Sequence, residues 1–288
     1  MKELIDLHAH STASDGSYAP AEVVRLAKEG GLTAIALTDH DTIDGIPEAM
    51  AAGDKWGVEV IPGVEISAHF PGGSMHVLGY FIDYTNGLLD ERLAVLKQAR
   101  LDRNPQIIAK LNALGIPLTM EQVVKVSGGG QVGRPHIARA LWEAGYVSNI
   151  QDAFDKFLRS GAPAHVNKFR FPPREAINMI REAGGVPVLS HPFTLGLGSA
   201  YALKNTLLEL KGLGLAGIEV FYSEHSREQE ALYLKLAREL GLLVTGGSDF
   251  HGLNKPEVVF GKMRSQGKVI YQLAETLKAW REKNINHR

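Results

Sequence analysis

The stretch ELIDLHAHS, residues 3–11, has the pattern of a short buried strand that ends in two histidines. Because side chains along a strand alternate between its two faces, His8 and His10 point in the same direction. Two imidazoles two residues apart on one face form a chelating pair. Asp6 lies on the same face, where it could orient one of them. The stretch therefore predicts a strand that ends at a metal site.

Similar apolar runs recur along the chain and alternate with amphipathic helical patterns. Strands are predicted over residues 3–9, 33–39, 58–67, 75–83, 186–191, 217–223 and 242–250. Helices are predicted over residues 20–31, 46–57, 173–185, 200–212 and 227–241, and several begin near Pro and end at Gly. Strand–helix alternation implies an α/β fold with a largely parallel sheet covered by helices. Seven strands favour a closed barrel, although periodicity alone leaves an open sheet as the alternative.

The alternation stops between about residues 100 and 165, where only helical patterns are found. We therefore expect a barrel built from residues 1–99 and 166–288, with residues 100–165 inserted as a small all-helical subdomain. A cap over the mouth of a barrel commonly excludes water and selects substrates.

Composition excludes several classes of protein. The 288 residues are 44% apolar, enough for one large domain or a domain with an insertion. The 31 Lys and Arg nearly balance the 32 Asp and Glu, which argues against a broad nucleic-acid-binding surface but not against a local basic pocket. The absence of cysteine excludes disulfides, thiolate metal sites and a thiol nucleophile. Without a signal-peptide pattern or an apolar run of about 18 residues, we expect a cytoplasmic protein with no membrane contact.

Histidines and carboxylates gather at the ends of the predicted strands, where parallel α/β folds form their sites. Burying a carboxylate such as Glu65, within VEVIPGVEI, is costly unless it is paired or bound to a metal. Each other candidate has a plausible structural role when taken singly, but their joint position favours one metal centre. The nine candidate ligands are His8, His10, Asp15, His40, Glu65, His76, His191, Asp249 and His251.

Six imidazoles and three carboxylates suit Mn, Zn or Fe, and they exclude the pure oxygen cage of Mg or Ca. Two metals held about 3.5–4 Å apart can clamp the attacking and leaving oxygens of a displacement at phosphorus. Nine ligands that include one bridging carboxylate could hold three metals.

Several neighbouring residues are expected to play supporting roles. Asp39 is predicted to orient a metal-bound imidazole, since such a ring usually donates its second N–H to a carboxylate. Asp41 is predicted to belong to the N-terminal region of a helix. Tyr222 is expected to pack in the core or at the rim of the site.

The short sequence blocks that contain the nine candidate ligands, taken in their order along the chain, resemble those of the polymerase and histidinol phosphatase (PHP) family of metal-dependent phosphoesterases. The resemblance implies a distorted seven-stranded (β/α) barrel with a trinuclear metal centre at the carboxyl ends of the strands. The motifs that carry it are DLHAHS (6–11), SDG (14–16), LTDHDT (37–42), PGVEIS (62–67), His76, LSHP (189–192) and GSDFH (247–251).

The resemblance also implies how the ligands are divided among three metals. The first metal would take His8, His10, Glu65 and Asp249. The second would share Glu65 as a bridge and add His76 and His191. The third would take Asp15, His40 and His251.

Within the family, the helical block with GQVGRPHIARAL (130–141) is similar to bacterial members that act on nucleotides. The implied activity is hydrolysis of the 3′-phosphate of a nucleoside 3′,5′-bisphosphate, with three divalent ions, Mn first and Zn or Fe as alternatives. The alternatives are a 5′-to-3′ exoribonuclease on short 5′-phosphorylated RNA, a histidinol phosphatase, an amidohydrolase-type enzyme that cleaves C–N bonds, and a metal-stabilised binding module without turnover. The expected partner is a small nucleotide or short RNA, and no feature indicates a protein partner.

The mechanism that we hypothesise is in-line attack on phosphorus by a hydroxide that bridges two metals. Metal binding lowers the pKa of water from ~15.7 towards ~7, so hydroxide is available at neutral pH. Glu65, Asp249 and His191 are the predicted catalytic residues. His225 is one candidate for the acid that protonates the leaving oxygen, with a supporting or solvated role as the alternative.

Substrate selection is expected to come from the insertion. Arg134 and His136 stand at a predicted helix start, and a helix N-terminus beside an arginine is a favourable phosphate site. We therefore predict that they bind a second phosphate of the substrate. Lys168 and Arg170, where the chain returns to the barrel, either reach the substrate or belong to a solvated face.

Overall fold

Seven strands follow one another around a barrel in the order in which they occur along the chain. The computed structural model describes residues 3–127, 130–264 and 268–285. The strands are β1 (Ile5–Ala9), β2 (Ala34–Leu37), β3 (Glu59–Ala68), β4 (Met75–Tyr80), β5 (Val186–Leu189), β6 (Gly217–Tyr222) and β7 (Leu243–Gly247).

Backbone hydrogen bonds join the two ends of this sheet. The His10 N–H donates to the Phe250 carbonyl oxygen at 2.9 Å, and the Asp249 N–H donates to the His8 carbonyl oxygen at 2.9 Å. Ala9 and Phe250 form an isolated parallel bridge beyond the end of β7. The predicted α/β barrel is therefore confirmed, and the open sheet is excluded.

One strand departs from the largely parallel arrangement that the sequence predicts. β4 pairs antiparallel with both β3 and β5, whereas the other neighbouring strands pair in parallel. In the β3–β4 register, Ser67 lies opposite His76. Because β4 runs in the opposite direction, its first residues lie at the edge where the other strands end. This reversal places His76 among residues that come after the other strands.

Helices cover the barrel and form the insertion. They are α1 (Pro20–Glu29), α2 (Ile46–Trp56), α3 (Gly87–Ala113), α4 (Met120–Ser127), α5 (Arg134–Glu143), α6 (Ile150–Ala153), α7 (Pro173–Glu182), α8 (Ala200–Gly212), α9 (Arg227–Leu240) and α10 (Gln272–Asn284). The sequence predicted α1, α2 and α7–α9 but missed α10. α3 begins at Gly87, well before residue 100, where the helical insertion was expected to start. At the beginning of this helix, the Asn86 side chain accepts a hydrogen bond from the Leu89 N–H. No helix in the described parts of the chain is long and apolar enough to cross a membrane.

α3 joins two separate apolar clusters. Leu93 and Leu96, in its first half, pack with residues of the barrel, whereas Ile107 and Leu111, in its second half, belong to a cluster formed mainly by residues of the insertion. The second cluster supports the predicted division into residues 1–99 and 166–288 and an insertion of residues 100–165, which stays a prediction. Residues 128 and 129 of that insertion lie outside the described residues.

Truncating α3 tests its packing on the barrel. Leu93 is fully buried, whereas Val95 in the same helix is 47% exposed. We expect Leu93→Ala to lower the free energy of unfolding by about 3 kcal/mol, because it removes buried methyl groups and leaves a cavity. Val95→Ala should change it by less than about 0.5 kcal/mol. Urea denaturation measures both, and equal effects would contradict the packing described.

Candidate metal centre

The nine residues predicted as ligands come together at one end of the barrel. Residues from the ends of β1 and β3, from the start of β4 and from the segments after β1, β2, β5 and β7 contribute to a single cluster. Seven of the nine side chains are buried, and the side chains of His40 and His76 are 12% and 20% exposed. We call these nine residues the histidine–carboxylate cluster.

Glu65 lies at the centre of the cluster. Each of its two carboxylate oxygens contacts imidazole nitrogens, at distances of 3.0 to 3.4 Å. The five imidazoles that contact it are those of His8, His10, His40, His76 and His191. A carboxylate in this position can bridge two cations.

Two further carboxylates face the histidines from opposite sides. Asp249 Oδ1 lies 3.0 Å from His10 Nε2 and 3.3 Å from His8 Nε2. Asp15 Oδ1 lies 3.1 Å from His251 Nε2. The three carboxylates therefore lie among the imidazoles rather than on a separate surface.

Possible ligand atoms fall into three groups, in each of which they lie within 4.8 Å of one another. One group consists of His8, His10, Glu65 and Asp249 and is identical to the set that the resemblance implied for the first metal. Another group contains the set implied for the third metal, Asp15, His40 and His251, together with His10. The remaining group contains His40 where the resemblance implied His191, although His191 Nε2 lies 3.0 Å from Glu65 Oε1. The three groups are His8, His10, Glu65 and Asp249; His10, Asp15, His40 and His251; and His40, Glu65 and His76.

The donor atoms fit divalent cations. Four buried atoms of the cluster have no hydrogen-bond partner among the described residues: His8 Nε2, His10 Nε2, His40 Nδ1 and Glu65 Oε2. Since buried polar atoms are nearly always hydrogen-bonded, four unpaired atoms that face one another form a set of donors that a divalent cation would satisfy. Imidazole and carboxylate ligands of this kind suit first-row transition metals and zinc.

The central carboxylates are held in the ionised form that a metal requires. Burial alone raises the pKa of Glu65, but the imidazoles of His40 and His8 outweigh burial and hold the pKa well below its usual range. Burial also raises the pKa of Asp249, and Lys255 and His251 more than reverse that effect. Both groups can therefore act as anionic ligands.

Backbone strain accompanies the cluster. The non-glycine residues Asp41, His191 and Asp249 have positive φ angles of 56°, 20° and 59°. Such conformations cost energy for side chains with a Cβ atom and collect at functional sites, where the surrounding structure enforces them. Here they turn the chain immediately after β2, β5 and β7.

A buried carboxylate that the sequence analysis missed contacts two histidine residues of the cluster. Glu219 on β6 is fully buried, and its Oε1 lies 2.9 Å from His8 Nδ1. Its Oε2 accepts a hydrogen bond from the His191 N–H at 2.8 Å. Metal-binding histidines usually make this contact with a carboxylate behind the ring. A glutamate inside the apolar strand GIEVFY was the signal that could have identified it.

The supporting roles expected from the sequence for Asp6, Asp39 and Asp41 are wrong. Asp6 accepts hydrogen bonds from the backbone N–H groups of His8, Ser248 and Gly261, so it holds loops rather than an imidazole. Asp39 accepts hydrogen bonds from Ser11 and Ser14.

Asp41 does not belong to a helix end. Its Oδ2 contacts Lys168 Nζ at 2.6 Å and Arg100 Nη2 at 2.7 Å, and its Oδ1 accepts from the Ser67 N–H. The side chain of Lys168 is only 3% exposed, so it does not belong to a solvated face. Tyr222 is buried as expected, and its hydroxyl donates to Asp249 Oδ2 at 2.7 Å.

A cavity of about 350 Å³ opens beside the cluster. Six cluster residues line it, together with six cationic side chains, and we call this cavity the basic pocket. The six cations are Arg100, Arg103, Arg134, Lys168, Arg170 and Lys255. Asp41 pairs with Arg100 and Lys168, and Asp249 pairs with Lys255, so the surplus of positive charge lies on Arg103, Arg134 and Arg170.

The cations of the basic pocket repel one another. Burial, together with Arg100 and Arg134, lowers the pKa of Arg103. Burial and Arg100 also lower the pKa of Lys168 to about 7, although Asp41 acts in the opposite direction. An arginine stays protonated in proteins, so the unfavourable energy is relieved when an anion binds. The pocket is therefore suited to a group with several negative charges.

The structure separates the candidates for substrate contact. Arg134 and Lys168 line the basic pocket. His136 is fully buried, and its Nδ1 accepts from the Gly133 N–H as part of the start of α5. His225 is also fully buried, and its Nδ1 donates to the Val220 carbonyl oxygen. Neither histidine lines the basic pocket, so we no longer expect either to contact substrate.

Comparison with known proteins agrees with this fold and site. Residues 6–167 match the PHP domain, and the chain belongs to this family. The chain is 36% identical to a 5′-3′ exoribonuclease of Haemophilus influenzae, over 87% of this chain and 91% of that protein. It is 33% identical to a 3′,5′-nucleoside bisphosphate phosphatase of Chromobacterium violaceum, over 86% of this chain and 87% of that protein.

Solved structures show the same fold. A metal-dependent phosphoesterase of Bifidobacterium adolescentis superposes with a TM-score of 0.85 at 30% identity and covers 96% of both chains. A Chromobacterium violaceum protein described as an amidohydrolase, with bound sulfate and no metal, gives a TM-score of 0.85 at 31% identity, over 94% of this chain and 96% of that one. The protein is therefore a PHP-domain, metal-dependent phosphoesterase with residues that could bind metal ions.

Replacing Glu219 tests its support of the cluster. We expect Glu219→Gln to weaken binding of Mn²⁺ by about 10- to 100-fold, because the ring of His8 loses its charged partner. Isothermal titration calorimetry on metal-stripped protein measures the change. Glu239→Gln, on the surface of α9, is the control and should bind as the wild type does. Unchanged affinity in a folded Glu219 variant would contradict the assigned role.

Proposed function

We propose that the protein hydrolyses the 3′-phosphate of nucleoside 3′,5′-bisphosphates, giving a nucleoside 5′-phosphate and inorganic phosphate. The observation that carries this proposal is the basic pocket, which opens directly beside the histidine–carboxylate cluster. One phosphate of such a substrate would lie on the cluster, and the other would lie among the cations. The similarity to the Chromobacterium violaceum bisphosphate phosphatase supports the same substrate class.

The cluster fits three divalent ions, of which Mn²⁺ is our first choice and Zn²⁺ or Fe²⁺ are alternatives. When bound, such ions supply a hydroxide nucleophile at neutral pH and stabilise negative charge on the phosphoryl oxygens. The ligands would be the nine residues of the cluster, with Glu65 as the bridge. Glu65 and Asp249 would hold the ions as anionic ligands, and His191 completes the ring of imidazoles around Glu65.

The remaining steps belong to residues of the pocket. Arg134, Lys168 and Arg170 would hold the 5′-phosphate, so that the 3′-phosphate is directed towards the cluster. The oxygen of water forms a bond to phosphorus, and the bond between phosphorus and the ribose 3′-oxygen breaks. The 3′-oxygen then takes up a proton to give the free hydroxyl.

A 5′-to-3′ exoribonuclease is the second candidate, favoured by the similarity to the Haemophilus influenzae enzyme. The two activities break the same bond between phosphorus and the 3′-oxygen. They differ only in whether the phosphate also carries the next nucleotide. The central position of Glu65, rather than a lysine, disfavours cleavage of C–N bonds. Membership of an enzyme family disfavours a binding module without turnover.

Removing the guanidinium of Arg134 tests the second phosphate site. With Mn²⁺-loaded protein, we expect Arg134→Ala to lower kcat/KM for adenosine 3′,5′-bisphosphate about 30-fold, equivalent to about 2 kcal/mol for one charged hydrogen bond. The loss for adenosine 3′-monophosphate should be about threefold or less. Phosphate release measures both rates, and metal-stripped protein should release none.

Arg238→Ala, at an exposed position on α9, is the matched control and should behave as the wild type does. Equal losses of the Arg134 variant on both substrates would contradict a role in binding the second phosphate. No phosphate release from any phosphomonoester by the Mn²⁺-loaded wild type would overturn the proposed function.

The pKa of Lys168 predicts a pH dependence of binding. Because this pKa is lowered to about 7, Lys168 loses its positive charge as the pH rises from 7 to 9. A phosphate monoester, with a second pKa of about 6, keeps its two negative charges over the same range. We therefore expect the inhibition constant of the product AMP to increase about tenfold between pH 7 and pH 9.

Lys168→Arg provides the comparison, since a guanidinium stays charged at pH 9. The inhibition constant of AMP for this variant should stay nearly constant over the same range. A wild-type inhibition constant that does not change with pH, or an equal increase in both proteins, would refute the role of Lys168.

A further inference from the structure

A second cavity, of about 690 Å³, opens from the basic pocket. It lies between the loop that joins β3 to β4 and the last residues of the insertion. The two cavities share a wall formed by Ser74, Arg134, Phe154, Lys168, Arg170 and Thr194. We call the second cavity the outer chamber.

The lining residues show the order of the cluster, the basic pocket and the outer chamber. Six residues of the histidine–carboxylate cluster line the basic pocket, but none of the nine lines the outer chamber. Arg134, Lys168 and Arg170 line both cavities. The shared cations therefore stand between the cluster on one side and the outer chamber on the other.

The charged side chains that line the outer chamber among the described residues are cationic. Arg159 and His165 line it beyond the shared cations, and no carboxylate does so among the described residues. The Arg159 side chain donates to the Asp155 carbonyl oxygen at 3.2 Å, and this neutral partner does not neutralise its charge. Burial and the nearby Arg134 and Arg170 lower the pKa of His165, which reflects the same positive field.

The order of the cavities determines where a group attached to the 5′-phosphate of a bound substrate lies. If the 3′-phosphate lies on the cluster and the 5′-phosphate on the shared cations, such a group extends into the outer chamber. Cations without a carboxylate favour a negatively charged group there.

We propose that the outer chamber binds the β-phosphate of substrates whose 5′ end carries a diphosphate, and that Arg159 is its specificity residue. The inference rests on the proposed function for the placement of the 3′-phosphate. It widens the substrate class from nucleoside 3′,5′-bisphosphates to 3′-phosphorylated nucleotides with a longer 5′-phosphate chain. Such a chain occurs on free nucleotides and at the 5′ end of RNA.

The test compares adenosine 3′-phosphate 5′-diphosphate with adenosine 3′,5′-bisphosphate as substrates of the Mn²⁺-loaded enzyme. Chromatography of the products, ADP and AMP, identifies release of the 3′-phosphate. We expect the diphosphate substrate to have an equal or higher kcat/KM in the wild type. Arg159→Ala should lower the ratio of the two values, diphosphate over bisphosphate, five- to tenfold.

Lys156→Ala is the matched control, because Lys156 is an exposed cation three residues away that pairs with Asp152 and does not line the chamber. It should leave the ratio as in the wild type. An Arg159→Ala ratio equal to that of the wild type would overturn the proposal for free nucleotides. That result is expected if the chamber holds the nucleobase between Phe70 and Phe154, since both substrates carry the same base.

Binding separates this inference from the proposed function. Calorimetric titration of the same proteins with ADP and AMP should show tighter binding of ADP, and Arg159→Ala should remove that preference. A preference for ADP without any 3′-phosphate release would overturn the proposed function alone. Release of the 3′-phosphate without any preference for ADP would overturn the inference for free nucleotides and leave the proposed function unaffected.

A second arm distinguishes the two sources of a 5′-diphosphate. It compares a short RNA carrying a 5′-diphosphate with the same RNA carrying a 5′-monophosphate. An Arg159-dependent preference for the diphosphate in either arm supports the proposal and identifies the source. No such preference in either arm overturns it.

Discussion

The buried carboxylate of Glu65 is the constraint on which the rest of the site depends. An ionised carboxylate without water is tolerated only when positive or hydrogen-bonding groups surround it. Five imidazoles meet this requirement, and they come from β1, from β4 and from the segments after β1, β2 and β5. These segments can reach one point only when the strands close into a barrel. The site therefore forms only when the barrel closes.

Much of this arrangement could be predicted from the sequence, because two simple periodicities carry it. The two-residue repeat of a strand places His8 and His10 on one face, and the carboxyl ends of parallel strands meet at one edge. The direction of β4 could not be predicted, since the pattern of an apolar strand does not reveal its direction. His76 was nevertheless included as a candidate, because it lies at the start of a predicted strand and was considered jointly with the histidines and carboxylates at the other strand ends. The antiparallel pairing of β4 supplies the physical reason for its position.

The supporting residues were harder to predict because their partners are remote along the chain. Asp41 contacts Arg100 and Lys168, which lie 59 and 127 residues later, and Glu219 contacts His8 across 211 residues. Local patterns carry no information on such pairs. What the sequence does contain is a carboxylate within an apolar strand, a signal used for Glu65 but overlooked for Glu219 on β6.

The connection between Asp41 and His40 explains how the two halves of the site are held together. His40 belongs to the cluster, and the next residue, Asp41, pairs with two cations of the basic pocket. The positive φ of Asp41 turns its side chain away from that of His40, and the Ser67 N–H fixes its carboxylate against β3. One peptide unit thus sets the distance between the metal ligands and the cations. For the proposed substrate with two phosphates, this distance would be the basis of selection, because it sets how far apart the two phosphates must lie.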